Sequence, residues 1–104
     1  MKIILSKEKS VEDEGLRRDY CYRIVEVEGR KGIVKNKMFY GIEIERRDFI
    51  NGELVNIERD GEELISSDRD KVLNIFNKAY TYLISPIHFI EIFSNEIDEL
   101  RFNL

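Results

Sequence analysis

The chain of 104 residues has one cysteine, one proline, one histidine and no tryptophan. A single cysteine excludes an intramolecular disulfide, and beside a single histidine it leaves too few soft ligands for a zinc centre. Carboxylates alone would suit calcium or magnesium. The acidic run Glu12, Asp13, Glu14 lacks the alternating spacing of a calcium loop, however, and reads as a solvated turn. No apolar run approaches the roughly 18 residues that span a membrane. The opening MKIILSKEKSVEDE returns to charge too soon for a signal peptide. No glycine is followed by Lys-Ser or Lys-Thr, so there is no phosphate-binding glycine loop. These absences imply no metal and no cofactor, and they make the cytoplasm the default compartment.

What remains describes one globular domain. Apolar residues make up 42% and charged residues 37%, enough grease for a core beneath a heavily charged surface. A chain of this length has room for one core and no second. The net charge of −4 arises entirely after residue 60, where four Lys/Arg meet eight Asp/Glu. Residues 1–60 balance at 13 of each. That distribution disfavours general nucleic-acid binding, because the C-terminal half repels a polyanion.

The first sixty-odd residues read as strands and the rest as helices, the pattern of an α+β domain. Strands are expected at 2–7, 18–28, 37–47, 53–59 and 62–66. Tyr20, Tyr22 and Ile24 share one face, and Met38, Tyr40, Ile42 and Ile44 share another. Glu43, Glu45 and Arg47 point the opposite way, so the sheet is covered on one side only. Asn51-Gly52 is the strongest turn signal, both central residues of a type I′ turn needing positive φ. A strict two-residue register there would set Glu45 against Glu58, a like-charge pair, so a bulge or longer loop is expected. Asp60-Gly61 reads as a further turn. The expectation is an antiparallel meander of four or five strands with two C-terminal helices packed on one face.

The helices are expected at about 68–84 and 86–100. Ser67, three residues before Asp70, reads as the first cap. Val72, Ile75, Phe76, Ala79 and Leu83 would face the sheet. Leu73, Tyr80 and Ile84 form a second apolar stripe, a candidate interface with a partner protein or a second copy. Ser85 and Pro86 suit the cap and first position of the second helix. Ile87, Ile90, Phe93, Ile97 and Leu100 would line its inner face, widened by Phe89 and Ile92.

Two further groups invite a chemical reading. His88 lies one turn into the second helix, with Glu91 three residues on. Catalysis would need a nucleophile beside it, and only Cys21 and Ser85 qualify. Cys21 sits within a strand, where a free thiol behaves as a small apolar group, and Ser85 is occupied as a cap. His88 is therefore a weak candidate, and the chain reads as non-enzymatic. Residues 29–37, GRKGIVKNK, gather Arg30, Lys31, Lys35 and Lys37 between two strands. This basic hairpin is the candidate contact for nucleic acid, another anion or an acidic partner. It also reads as a solvated loop whose lysines discourage edge pairing. A small-molecule pocket lacks a polar cluster to define it.

The series Tyr20, Tyr22, Ile24, then Tyr40, Gly41, Ile42, Ile44, then Ser85, Pro86, His88 resembles a family of small, uncharacterised bacterial proteins. That family is catalogued only as a domain of unknown function (DUF6514-like). The resemblance spans nearly the whole chain and places the histidine of S-P-x-H within the family pattern. It implies no activity, cofactor or catalytic residue. The residues and the resemblance together point to a small protein-interaction or regulatory module. Anion binding through 29–37 and small-molecule binding are the alternatives.

Overall fold

The computed structural model describes residues 1–30, 32 and 35–102, with Phe102 described by its backbone alone. Four strands precede two helices: β1 (Lys2–Asp13), β2 (Leu16–Glu28), β3 (Met38–Ile50), β4 (Glu53–Ser66), α1 (Arg69–Thr81) and α2 (Pro86–Phe102). The strands form one antiparallel sheet in chain order, and the helices lie on one of its faces. This is the α+β meander expected from the sequence.

Two hairpins close at one end of the sheet. Glu14 and Gly15 turn β1 into β2, and Asn51 and Gly52 turn β3 into β4, all four at positive φ. This is the type I′ geometry whose twist matches that of the strands. The Asn51 amide donates to the Gly15 carbonyl at 2.9 Å, which ties the two turns together. The expected bulge lies just inside the second turn, between Asp48 and Phe49, where Val55 is the extra residue on β4. The slip moves Glu45 from Glu58 to Arg59 and sets Arg46 opposite Glu58. Electrostatics thus favours the bulged register over the strict one.

Several expectations require correction. Asp60-Gly61 is no turn: β4 runs straight through it, so there are four strands and not five. Gly61 serves close approach instead, since a Cβ there would lie 2.2 Å from the Ile42 carbonyl oxygen. Gly41 faces the same constraint against the carbonyls of Glu62 and Glu63, where β4 carries extra residues between its pairings with Ile42 and Tyr40. β1 extends to Asp13 rather than stopping at residue 7. Its outer half is exposed on both faces, so it carries no alternation of polarity to read.

The cap of the first helix shifts by a residue. Asp68, not Ser67, caps α1, its carboxylate accepting from the Asp70 and Lys71 amides. Ser66 supports it by accepting from the Asp68 amide at 3.0 Å. α1 ends at Thr81, earlier than expected. Leu83 adopts φ +52, while the Leu83 and Ile84 amides return to the Tyr80 and Ala79 carbonyls. Those two bonds make a Schellman motif with leucine in the place glycine usually takes. Pro86 opens α2 as expected. The Ser85 carbonyl accepts from the His88 amide, while the Ser85 hydroxyl makes no hydrogen bond among the described residues.

The core lies between the helices and the inner half of the sheet. Tyr22, Ile24, Ile42, Ile44 and Ile65 meet Val72, Ile75, Phe76 and Ala79 of α1 and Phe89, Phe93 and Ile97 of α2. The inner face of α2 is rotated from the expected one. Phe89 is buried, whereas Ile87, Ile90 and Ile92 are exposed. Thirteen-residue strands span about 43 Å, while helices of 13 and 17 residues span about 20 and 26 Å. The helices therefore cover one half of the sheet, and the hairpin half stands beyond them.

Candidate interaction surface

The uncovered half of the sheet combines apolar side chains with ion pairs. Val11, Ile50, Leu54, Val55 and Ile57 are each 41–52% exposed. On the helix-free face Phe49 and Leu54 pair across β3 and β4, and Arg17 stacks over the Phe49 ring at 4.3 Å. Among them run two charge networks that the sequence reading did not assemble. On the helix-free face Glu45, only 6% exposed, accepts from Arg47 at 2.8 Å and from Arg59. On the other face Arg46 bridges Asp48 and Glu58, each at 3.0 Å, and Asn56 donates to Asp48. The sequence signal was present in the Glu45-Arg46 and Glu58-Arg59 dipeptides. They become complementary only in the bulged register.

These contacts set the ionisation of the two groups at the network centres. Burial works to raise the Glu45 carboxyl, but the bonds from Arg59 and Arg47 outweigh it and hold the group below its ordinary range. For Arg46, burial works downward and the Asp48 and Glu58 carboxylates prevail, so its charge is strengthened. In the core, burial and the neighbouring Tyr20 and Tyr80 push the Tyr22 phenol well above its usual range. Its hydroxyl donates to the Ile84 carbonyl at 2.8 Å, which ties the sheet to the end of the first helix.

The structure distributes the candidate residues over separate regions. Arg30, Lys35 and Lys37 are exposed on the loop between β2 and β3, at the end of the sheet away from the hairpin turns. Lys31 lies outside the described residues. The loop is closed by the Gly29 amide on the Lys37 carbonyl and the Asn36 amide on the Gly29 carbonyl. Leu73, Tyr80 and Ile84 are half-buried against the core. Tyr80 stands edge-on to Tyr22, with the Lys7 and Lys9 ammonium groups 5.2 and 5.6 Å from its ring centre. His88 is exposed on α2, its Nδ1 3.6 Å from Glu91 Oε2.

Cys21 is buried on the helix-free side, its sulfur 3.6 Å from the Ser6 hydroxyl. The sheet stands between it and His88. Among the described residues no three His, Cys, Asp or Glu side chains are placed to hold a metal ion. No helix of the described residues is long and apolar enough to cross a membrane. Two open hollows on the helix-free face share Arg23, Glu45 and Arg47.

A family model described as a family of unknown function (DUF6514) matches residues 1–99. The chain belongs to this family. The match covers all four strands, α1 and α2 up to Glu99. No curated protein and no solved structure matches the chain.

Proposed function

We propose that this member of the family is a non-enzymatic module that works by contact with protein, in the cytoplasm. The observation that carries the reading is the half-covered sheet. Leu54, Val55 and Ile57 along β4 leave apolar surface in water where the helices do not reach. Arg17, Arg47 and Arg59 around the patch supply the polar rim that specific protein contacts use. The lone cysteine supports a reducing compartment. The test is retention of a defined protein, identified by mass spectrometry, on the immobilised chain in extracts of the organism that encodes it. The Leu54→Asp/Ile57→Asp variant should lose that protein while keeping its circular dichroism. Equal retention by both chains would refute the reading.

A second reading is favoured by one observation. Arg30, Lys35 and Lys37 are exposed on a single loop, and none has an ion pair among the described residues. Such a loop suits a polyanion. It predicts salt-sensitive binding of DNA or RNA in fluorescence anisotropy, lost when all three are changed to alanine. No binding at low salt would end it.

A further inference from the structure

The pairing register lays the four strands in rows, and three neighbouring rows carry opposite charge at their two ends. One row reads Lys9, Tyr20, Arg46, Glu58 from β1 to β4. The next reads Glu8, Cys21, Glu45, Arg59, and the one after it Lys7, Tyr22, Ile44, Asp60. Three consecutive rows thus begin and end on opposite signs. Side chains alternate faces, so Lys7, Lys9, Glu58 and Asp60 lie on the helix side, with Glu8 and Arg59 on the other. Among the described residues Lys7, Glu8, Lys9 and Asp60 have no ion pair within the chain.

We infer that the partner of this surface is a second copy of the chain, joined edge to edge, β1 of one copy beside β4 of the next. This rests on the interaction reading above and names its partner. The two edges run antiparallel, so a neighbour in the same orientation continues the meander without a break in strand direction. With no shift along the strands, Lys7 meets Asp60, Glu8 meets Arg59 and Lys9 meets Glu58. Each pair lies on one face, as cross-strand pairs must. Like edges repel instead. β1 against β1 brings Lys7 to Lys9 or a lysine to itself, and β4 against β4 brings Arg59 to itself or Glu58 to Asp60. Charge thus selects the head-to-tail join over a two-fold one.

The accessible stretches match. Residues 6–13 of β1 are exposed, as are residues 53–60 of β4 apart from the half-buried Glu58. Beyond them, Arg101 of α2 donates to the Leu64 carbonyl and pairs with Glu62, which covers the rest of the β4 edge. The join therefore spans the rows from Ser6 and Gly61 to Val11 and Asn56. It starts at the core rows of Tyr22 and Ile44, beside the helices, and runs out onto the half of the sheet that they leave bare.

Light scattering at rising concentration tests this at low and high salt. The chain should exceed monomer mass, and less so in high salt. Lys7→Glu alone and Asp60→Lys alone should each weaken association about fivefold. An equimolar mixture of the two variants should recover it, because every join then pairs opposite charges. A Ser10→Cys/Ile57→Cys chain should form a ladder of disulfide-linked oligomers under oxidation. Those residues are row partners at opposite edges, about 14 Å apart within one chain and too far to bridge internally. Three results would overturn the proposal: a monomer at about 1 mM, assembly indifferent to both charge reversals, or assembly without the cross-link. Each leaves the interaction reading standing if the Leu54/Ile57 variant still loses its retained protein. Loss of that discrimination alone defeats the broader reading.

Discussion

Gly41→Ala should be among the most damaging single-methyl additions this fold can receive. The residue is not at positive φ, so its glycine is required by space alone. A Cβ built there would lie 2.2 Å from the Glu62 oxygen, 2.3 Å from the Glu63 oxygen and 2.4 Å from the Glu63 carbonyl carbon. All three are backbone atoms, so no side-chain tip can swing aside. β4 must move by roughly 1 Å to restore ordinary contact, at the place where it carries extra residues between its pairings with Ile42 and Tyr40. Overpacking typically costs about 1–3 kcal/mol, and a clash with fixed backbone belongs at or beyond the upper end. At about 4–8 °C per kcal/mol for a domain near this size, 3 kcal/mol lowers Tm by about 12–24 °C. Gly52→Ala is the control. Gly52 has φ +83 and nothing within 4 Å of an added Cβ. Only the left-handed backbone penalises that change, by about 1–2 kcal/mol. Thermal unfolding followed by circular dichroism should rank Gly41→Ala well below Gly52→Ala. Equal melting temperatures, or the reverse order, would refute the claim that β4 runs through Gly61 and presses on Gly41.

Three further outcomes follow from the geometry. Asp68→Ala should cost about 0.5–2 kcal/mol as a lost helix cap, and Ser67→Ala should stay within about 0.5 kcal/mol; urea titration of both variants checks which residue caps α1. Phe89→Ala should cost about 3–5 kcal/mol, against about 0.5 kcal/mol for Ile87→Ala, and comparable losses would mean the inner face of α2 is misassigned. The third concerns pH. Glu45 is held below its ordinary range in the folded state, so its ionised form stabilises the fold above roughly pH 4–5, where the unfolded group is also ionised. That contribution fades as pH falls through the lower folded value. Wild type should therefore exceed Glu45→Gln in stability at pH 7 and lose the advantage in acid, and an advantage that grows in acid would contradict the network.

Much of this protein was settled by local chemistry. Tyr20, Tyr22 and Ile24 share the face of β2 that meets the helices, and their alternation alone reveals that face; Cys21 and Val25 on the other face are also buried, which depends on the folded sheet. Asn51-Gly52 accepts positive φ, and the charges on Glu45 and Glu58 forbid the unbulged register beside it. Pro86 separates the two helices wherever they lie. Asp60-Gly61 looked like a turn because that dipeptide supplies turn conformations. Here the glycine is needed for room beneath Ile42, a demand made by a residue 19 positions earlier. The outer half of β1 gave no pattern since both of its faces meet water. Three isoleucines around α2 are equally apolar in composition, and only the position of the helix over β4 leaves Ile87, Ile90 and Ile92 outside and puts Phe89 within. Local propensity and charge thus determined the elements and their order. Which surfaces were hidden depended on how far two short helices reach across longer strands, a length comparison that exists only once the chain has folded.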